Sequence, residues 1–199
     1  MTDSAKDTLF HVAKVDEDFV FNERVVEVFD DMLDRSVPFY RSVIDASAQL
    51  IDRFLQPEES VYDLGCATGT TLLEFSRLLA HKNLQFTGID NSRPMLDKAK
   101  LKAELYSKQR HISFLLEDII HFNHGGAGAI ILNYTLQFID PRDRDAMMRR
   151  IYDGLNDGGI LVLSEKVVDD DEHMERLLVD LHHEHKRRNH YSALEVARK

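Results

Sequence analysis

The stretch VYDLGCATGT, residues 61–70, indicates the fold of the whole chain. A short apolar run ends at Gly65, and Gly69 precedes residues with helical spacing. Glycine at 65 lets the backbone turn sharply after a strand, and glycine at 69 lets a ligand approach the start of the next helix. Two features are unusual for a dinucleotide site: Asp63 stands just before the turn, and Ala67 replaces its middle glycine.

Outward from this turn, runs that predict strands alternate with runs that predict helices. The predicted strands cover 60–66, 84–90, 111–118, 128–138 and 159–165, and the predicted helices between them cover 70–80, 94–108 and 141–155, with a loop or weak helical turn over 119–127. Amphipathic helices are also predicted over 18–40, over 40–55 and from residue 169, and the Gly158-Gly159 pair is predicted to close the helix before the fifth strand. The alternation predicts an α/β, Rossmann-like, doubly wound fold with a mostly parallel sheet that lacks the last antiparallel strands.

The 199 residues predict a single domain, with a helical N-terminal part (1–56), a Rossmann-like core (57–166) and a helical C-terminal segment (167–199). Acidic residues outnumber basic ones by 35 to 25, and the formal charge of -10 argues against direct binding of nucleic acid. Neither a secretory signal nor an apolar span is evident, so we expect a cytoplasmic protein that does not enter membranes. Cys66, the only cysteine, is interpreted as a small space-filler, with a catalytic thiol as the alternative.

Polar side chains follow four predicted strands: Asp63, Asp90 with Asn91, Asp118 and Asn133. The carboxyl ends of parallel strands lie at one edge of a sheet, where ligands bind. Carboxylates disfavour a pyrophosphate, but they accept hydrogen bonds from a nucleoside and offset a positive charge. The predicted cofactor is therefore S-adenosyl-L-methionine, with Asp90 near the ribose and Asp118 near the adenine. A solvated strand end or a helix cap is the alternative for each acid, and a capped turn for Asn133.

The motif D-x-G-x-x-x-G at 63–69 resembles the first motif of the class I S-adenosylmethionine-dependent methyltransferases. Within them, the chain is most similar to the carboxy-S-adenosyl-L-methionine synthases, through DRSVPFY (34–40), GIDNSRPM (88–95), ILNYTLQF (131–138), LVLSEK (161–166) and DLHHEHKRRNHYSALEV (180–196). The resemblance implies an enzyme that replaces a methyl hydrogen of S-adenosylmethionine with a carboxyl group from prephenate, releasing phenylpyruvate. It also implies a homodimer whose product passes to an enzyme that modifies the wobble uridine of tRNA.

The resemblance implies a set of cofactor-binding residues, with Tyr40 in a lid and Asn133 at the reacting end of the ligand. The full set is Tyr40, Gly65, Cys66, Ala67, Asp90, Asn91, Asp118, Ile119 and Asn133. No general base and no metal are implied, and the catalytic residues stay unassigned.

The chain departs from the family at Phe39, Ala67 and His190, where the family has glycine, serine and glycine. The family also continues past position 199 with an arginine that pairs with the added carboxylate, followed by the final antiparallel strands. We expect a chain that ends at 199 to be truncated, and to bind the cofactor but fail at the chemistry.

Two other functions stay open from the sequence. Ordinary methyl transfer to a small acceptor would produce S-adenosylhomocysteine, and a module without turnover would only bind a nucleoside or a partner. His182 and His185 within HHEH also leave a metal site open, although a charged, solvated helix is the preferred interpretation.

Overall fold

The computed structural model describes residues 23–198. The helices are Glu23–Ser36 (α1), Tyr40–Phe54 (α2), Thr70–Leu78 (α3), Arg93–Leu105 (α4), Pro141–Gly154 (α5), Glu172–Arg188 (α6) and Ala193–Arg198 (α7). The strands are Ser60–Leu64 (β1), Gln85–Asp90 (β2), Ile112–Leu116 (β3), Ala127–Asn133 (β4) and Leu155–Ser164 (β5). The described residues form two compact units: residues 42–166 form the first, and residues 23–41 together with 167–198 form the second.

All five strands pair in parallel, in the order β3-β2-β1-β4-β5. This order confirms the predicted Rossmann-like α/β fold, and residues 23–198 contain no antiparallel strand. The chain runs outward from β1 to β3, then returns to the other side of β1 for β4. The strand order therefore reverses between β1 and β4, which is where open parallel sheets bind their ligands.

The core of the first unit lies around β4, the central apolar strand. Residues 127, 129 and 130–132 have no exposed surface. The predicted apolar face of α2 is also buried, with Ile44, Ala48, Ile51 and Leu55 each at most 3% exposed. Strand β4 reads as an unbroken apolar run because a parallel strand with helices on both faces meets no water.

Helix starts follow the expected local chemistry. Ser92 caps α4 by accepting a hydrogen bond from the Met95 N–H, and Asp140 caps α5 by accepting one from the Arg142 N–H. Proline occupies the first turn of both helices, where its missing N–H costs nothing. The weak helical turn predicted over 119–127 is confirmed as a 3₁₀ turn, Ile119–His121.

Boundary errors lie at the end of β4 and at the start of β5. The strand predicted over 128–138 ends at Asn133, because Tyr134 takes a left-handed φ of 57° and a 3₁₀ turn, Leu136–Phe138, follows. Helix α5 ends at Gly154, within one residue of the predicted end, but β5 starts at Leu155 rather than at residue 159. The Gly158-Gly159 pair, predicted to close the helix, lies within β5. A register shift in the pairing of β4 with β5 accommodates the extra residues, with Gly158 at φ 82°.

The second unit is helical in its described part. The Arg35 guanidinium donates to the Asn189 carbonyl at 2.8 Å and lies 4.1 Å from the centre of the Tyr191 ring. These contacts link α1 to the end of α6. The acidic run at 169–172 was predicted as a helix start, and Asp171 indeed caps α6 by accepting from the N–H groups of His173 and Met174.

The three departures from the family share one backbone feature. Phe39, Ala67 and His190 all have left-handed φ values, of 59°, 46° and 68°. Glycine adopts this region without strain, whereas other residues pay about 1–2 kcal/mol. The glycines that the resemblance implies at 39 and 190 therefore have a conformational reason. In addition, no helix within residues 23–198 is long and apolar enough to cross a membrane.

Candidate functional site

The turn after β1 is built on left-handed backbone. Gly65 has φ 77° and Gly69 has φ 72°. The N–H groups of Gly65 and Cys66 both donate to the Ile89 carbonyl, at 2.8 and 3.1 Å, which holds the turn against β2. A Cβ atom on Gly65 would lie 2.5 Å from Cγ2 of Thr135. Position 65 therefore requires glycine both for its conformation and for its space.

Strand register explains why the predicted residues come together. Asp63 pairs with Gly88 of β2 on one side and with Ile131 of β4 on the other. Two residues farther along these three neighbouring strands, the chain reaches Gly65, Asp90 and Asn133. They therefore lie at one level along the edge between β2 and β4, as the sequence predicted for the carboxyl ends of the strands.

Asp90 fixes the glycine turn. Its Oδ2 accepts a hydrogen bond from the Ala67 N–H at 2.9 Å, and its Oδ1 accepts one from the Ser92 N–H at 2.8 Å. Burial raises the pKa of Asp90, while these backbone donors act in the opposite direction. Each carboxylate oxygen has a further lone pair, so the predicted contact with ribose hydroxyls is compatible with both bonds.

Asp63 is a buried acid, only 3% exposed, at the end of β1. Burial, and secondly the nearby Asp90, raise the pKa of Asp63 from 3.8 to about 7. An anion without water is costly, so the carboxyl holds its proton into the neutral range. A positively charged ligand beside it would favour the ionised form. This acid is thus suited to a cation and unsuited to a pyrophosphate.

Asn133 carries an unused hydrogen-bonding group at the end of β4. Its Nδ2 and Oδ1 atoms are both buried, and neither has a hydrogen-bond partner in the part of the chain that the structure describes. A buried amide without partners is rare in folded proteins and costs about 1–3 kcal/mol. This cost indicates a ligand that both donates and accepts at the switch point, so the residues present fit an adenosyl ligand with an amino-acid tail.

Cys66 fills space within the turn. Its Sγ atom lies 2.7 Å from where a Cβ on Gly88 would be, so the thiol packs directly on the β2 backbone. The side chain is buried, and burial raises the pKa of the Cys66 thiol well above its ordinary value, with Asp63 and Asp90 adding to the effect. Both observations favour the space-filling interpretation over the nucleophile, since only the thiolate is reactive.

The predicted adenine-side residues lie just past β3. Asp118 is exposed, and its Oδ1 accepts a hydrogen bond from the Ile120 N–H at 3.1 Å, which caps the 3₁₀ turn. Ile119 is buried in the same core cluster as Leu64 and Ile89. Asn91 is exposed after β2. The Asp118 cap matches the structural alternative considered for the acids, and the adenine and ribose roles of these residues stay predictions.

Tyr40 is the first residue of α2 and is buried. Tyr40 belongs to the second unit, whereas the glycine turn belongs to the first. Its role in a lid therefore stays a prediction.

Sequence reasoning missed residues that support the turn. The Nζ atom of Lys102 on α4 donates to Oγ1 of Thr70 at 2.7 Å and of Thr68 at 3.4 Å. Thr135 packs against Gly65, and its hydroxyl donates to the Asn133 carbonyl at 3.1 Å. The partners in the lysine contacts are 32 and 34 residues apart, and no local spacing indicates them.

His182 and His185 of the HHEH segment form hydrogen bonds within the protein. His182 forms a hydrogen bond of 2.9 Å with the Ser36 carbonyl through Nε2, and His185 forms one of 3.0 Å with the Asn189 side chain. Across the described residues, no group of three His, Cys, Asp or Glu side chains could hold a metal ion. The geometry thus gives these histidines structural roles within the helical unit.

Comparisons with known proteins identify the family. Residues 61–159 match a family model described as a methyltransferase domain. The chain is 57% identical, over all 199 of its residues, to the carboxy-S-adenosyl-L-methionine synthase of Desulfotalea psychrophila, and it spans 81% of that protein. The chain belongs to the carboxy-S-adenosyl-L-methionine synthase family. A second member of this family, from Vibrio vulnificus, is 43% identical over 98% of the chain. The match covers 80% of that protein.

Solved structures support the fold of this synthase family member. A putative S-adenosylmethionine-dependent methyltransferase from Methanococcus maripaludis superimposes with a TM-score of 0.62 at 14% identity, covering 85% of the chain and 74% of that structure. A methyltransferase from Geobacter sulfurreducens, solved in complex with S-adenosylhomocysteine, superimposes with a TM-score of 0.50 at 24% identity. The match covers 68% of the chain and 53% of that structure. The predicted fold class and family are therefore confirmed, and with them the assignment to a family of S-adenosylmethionine-dependent enzymes.

Proposed function

We propose that this chain synthesises carboxy-S-adenosyl-L-methionine from S-adenosyl-L-methionine, with prephenate as the source of the carboxyl group and phenylpyruvate as the second product. The hydroxyl group that prephenate loses and the proton that the methyl group loses leave together as water. The identity of 57% over the whole chain to a named synthase is the observation that carries the proposal. S-adenosylmethionine supplies the sulfonium-bound methyl group on which the carboxyl is placed. The chain's own residues bind and orient the two reactants, which can lower a barrier greatly without a side-chain base.

The polar groups at the switch point support a cationic nucleoside ligand. Burial is the larger cause of the raised pKa of Asp63, and the negative charge of nearby Asp90 adds to it. A sulfonium and an ammonium group would relieve that repulsion. The Asn133 amide, which has no partner among residues 23–198, offers N–H donors on Nδ2 and an acceptor oxygen, Oδ1, at the same level of the sheet.

The decisive experiment supplies S-adenosylmethionine with and without prephenate and follows the nucleosides by mass spectrometry. A product heavier by one carboxyl group, formed only with prephenate, supports the proposal. S-adenosylhomocysteine formed with a small acceptor would support ordinary methyl transfer instead. Binding of S-adenosylmethionine with neither product would support a module without turnover.

Replacing Asn133 with Leu separates ligand binding from folding. Because the variant removes a buried amide that lacks partners, the free energy of unfolding without ligand is expected to stay equal or rise by about 1–3 kcal/mol. Affinity for S-adenosylhomocysteine is expected to fall about tenfold or more, since the ligand loses the amide. Denaturant unfolding and calorimetric titration measure the two effects.

Asn123→Leu is the matched control, because Asn123 is an exposed amide that follows the 3₁₀ turn Ile119–His121. Its affinity for S-adenosylhomocysteine is expected to equal that of the unsubstituted chain. A clear loss of stability in Asn133→Leu, with unchanged affinity, would remove Asn133 from the ligand site.

We also propose that the chain forms a homodimer through α6. Four apolar side chains recur on one face of this helix and are 39–53% exposed: Met174, Leu177, Leu178 and Leu181. Acidic residues occupy the first turn of the helix and basic residues its last turn. Two copies that pair antiparallel along α6 would bury the apolar face and match opposite charges, as a two-fold interface requires.

Leu177→Glu is expected to shift the chain from dimer to monomer, because it places a charge at the centre of this face. Light scattering after size-exclusion chromatography measures the mass. Val168→Glu is the control, since Val168 is 82% exposed and lies outside the helix. A monomeric unsubstituted chain, or a dimer that survives Leu177→Glu, would contradict the proposal.

The product is proposed to pass to a separate enzyme that modifies the wobble uridine of tRNA, in the cytoplasm. The formal charge of -10 supports this division of work, because an acidic protein repels a phosphate backbone. The chain itself would then handle only small molecules.

A further inference from the structure

The loop of residues 117–124, between β3 and β4, contains a hydrogen bond between His124 and Glu117 that the proposed chemistry does not use. Nε2 of His124 lies 2.8 Å from Oε2 of Glu117. The two residues stand at the ends of the loop, and Asp118 and Ile119 lie between them. The pair therefore joins the ends of the segment that carries the predicted adenine-side residues.

The His124 ring is held in place by aromatic neighbours. It stacks on Tyr62 of β1, with ring centres 5.8 Å apart and planes 25° apart, and it lies 5.5 Å from the Phe122 ring. Phe122 meets Tyr62 edge-on at 5.6 Å and is only 1% exposed. A Cβ atom on Gly154 would lie 2.7 Å from the His124 carbonyl oxygen, so α5 also packs closely against this point.

The Glu117 end is attached to the site itself. The Glu117 N–H donates to the Asp90 carbonyl at 3.1 Å, while the Asp90 side chain holds the glycine turn. The middle of the loop is fixed from the other side, because the Arg150 guanidinium on α5 donates to the Ile120 carbonyl at 2.7 Å. The hydrogen bond between His124 and Glu117 is thus one of three contacts that set where Asp118 stands relative to Asp90.

We propose that His124 is a positioning residue for the adenosine half of the ligand, acting through Glu117. The His124 ring packs against Tyr62 and Phe122, and its hydrogen bond holds the Glu117 end of the loop near them. This contact keeps Asp118 and Ile119 at a fixed distance from Asp90. The inference rests on the proposed function, since it concerns the same adenosyl site. It assigns no chemical step to His124.

The test compares the dissociation constants of S-adenosylhomocysteine and adenosine, measured by calorimetry, for His124→Leu and the unsubstituted chain. Both constants are expected to rise by the same factor, about two- to fivefold, as fits the loss of a partly exposed hydrogen bond. His124→Gln keeps a hydrogen-bond donor and is expected to restore most of the affinity. His121→Leu is the matched control, because His121 is exposed in the same loop and is expected to leave both constants unchanged.

Glu117→Ala removes the other partner at an exposed position, so it tests the inference even if His124→Leu fails to fold. It is expected to weaken both ligands by the same factor. Unchanged constants in Glu117→Ala, or weakened S-adenosylhomocysteine with unchanged adenosine, would overturn the positioning role. If the unsubstituted chain binds neither ligand, the proposed function itself fails, which is a different result.

Discussion

Gly65→Ala is expected to destabilise the chain and to abolish ligand binding. The left-handed φ of 77° costs a non-glycine residue about 1–2 kcal/mol, and the added Cβ would lie 2.5 Å from the Thr135 side chain. Overlap in a packed interior typically adds about 1–3 kcal/mol, for a total loss of about 2–5 kcal/mol in the free energy of unfolding. Because the turn bonds to Asp90 through the Ala67 N–H and packs on Thr135, which bonds to Asn133, affinity for S-adenosylhomocysteine should fall below detection. Denaturant unfolding and calorimetry measure these losses.

Three further variants divide this loss into its causes. Gly158 has a φ of 82° with no atom near its added Cβ, so Gly158→Ala measures strain alone, about 1–2 kcal/mol. Gly125 has no atom within 4 Å of an added Cβ and no left-handed φ, so Gly125→Ala should leave the free energy of unfolding nearly unchanged. Thr135→Ala removes the two closest atoms, so it should recover part of the Gly65→Ala loss in the double variant. Equal losses for Gly65→Ala and Gly158→Ala would show that the Thr135 contact is unimportant.

Asp63→Asn is expected to stabilise the ligand-free chain, and more so at alkaline pH. In the native state the pKa of Asp63 is about 7, whereas its ordinary value is 3.8. Between these values the folded chain holds a proton that the unfolded chain has lost, so stability falls as the pH rises toward 7. Above pH 7 the full cost of the buried anion is present, about 4 kcal/mol at most. Asparagine carries no charge at any of these pH values and avoids that cost.

The measurement is the free energy of unfolding of both chains at pH 5 and pH 8. The difference between them is expected to widen by about 2–3 kcal/mol from pH 5 to pH 8. Affinity for S-adenosylmethionine should strengthen as the pH rises through 7 in the unsubstituted chain and not in Asp63→Asn, because only an ionised acid attracts the sulfonium. A pH-independent difference in stability would contradict the burial of a titrating acid at this position.

Local sequence chemistry accounts for most of the elements. The apolar runs of β1 and β2, the prolines in the first turns of α4 and α5 and the acidic cap of α6 each appear where the spacing predicts them. The clearest errors lie at the C-terminal end of β4 and at the start of β5. There the local pattern continued, but Tyr134 took a left-handed conformation and β5 extended back to Leu155 by pairing with β4. The apolar pattern does not show the left-handed conformation of Tyr134, and the start of β5 depends on pairing with a separate strand.

The sequence by itself determined the glycine turn, the order of strands and helices, and the polar residues at the strand ends, because these depend on neighbours within a few positions. Only the tertiary structure decided which groups meet. The structure brings Thr135 into contact with Gly65, Lys102 with Thr70 and His124 with Glu117. It also buries Asp63, which is the main cause that raises its pKa to about 7. The physical reason is that burial and long-range contacts follow from the order of the strands in the sheet, which brings residues far apart in the chain to one edge.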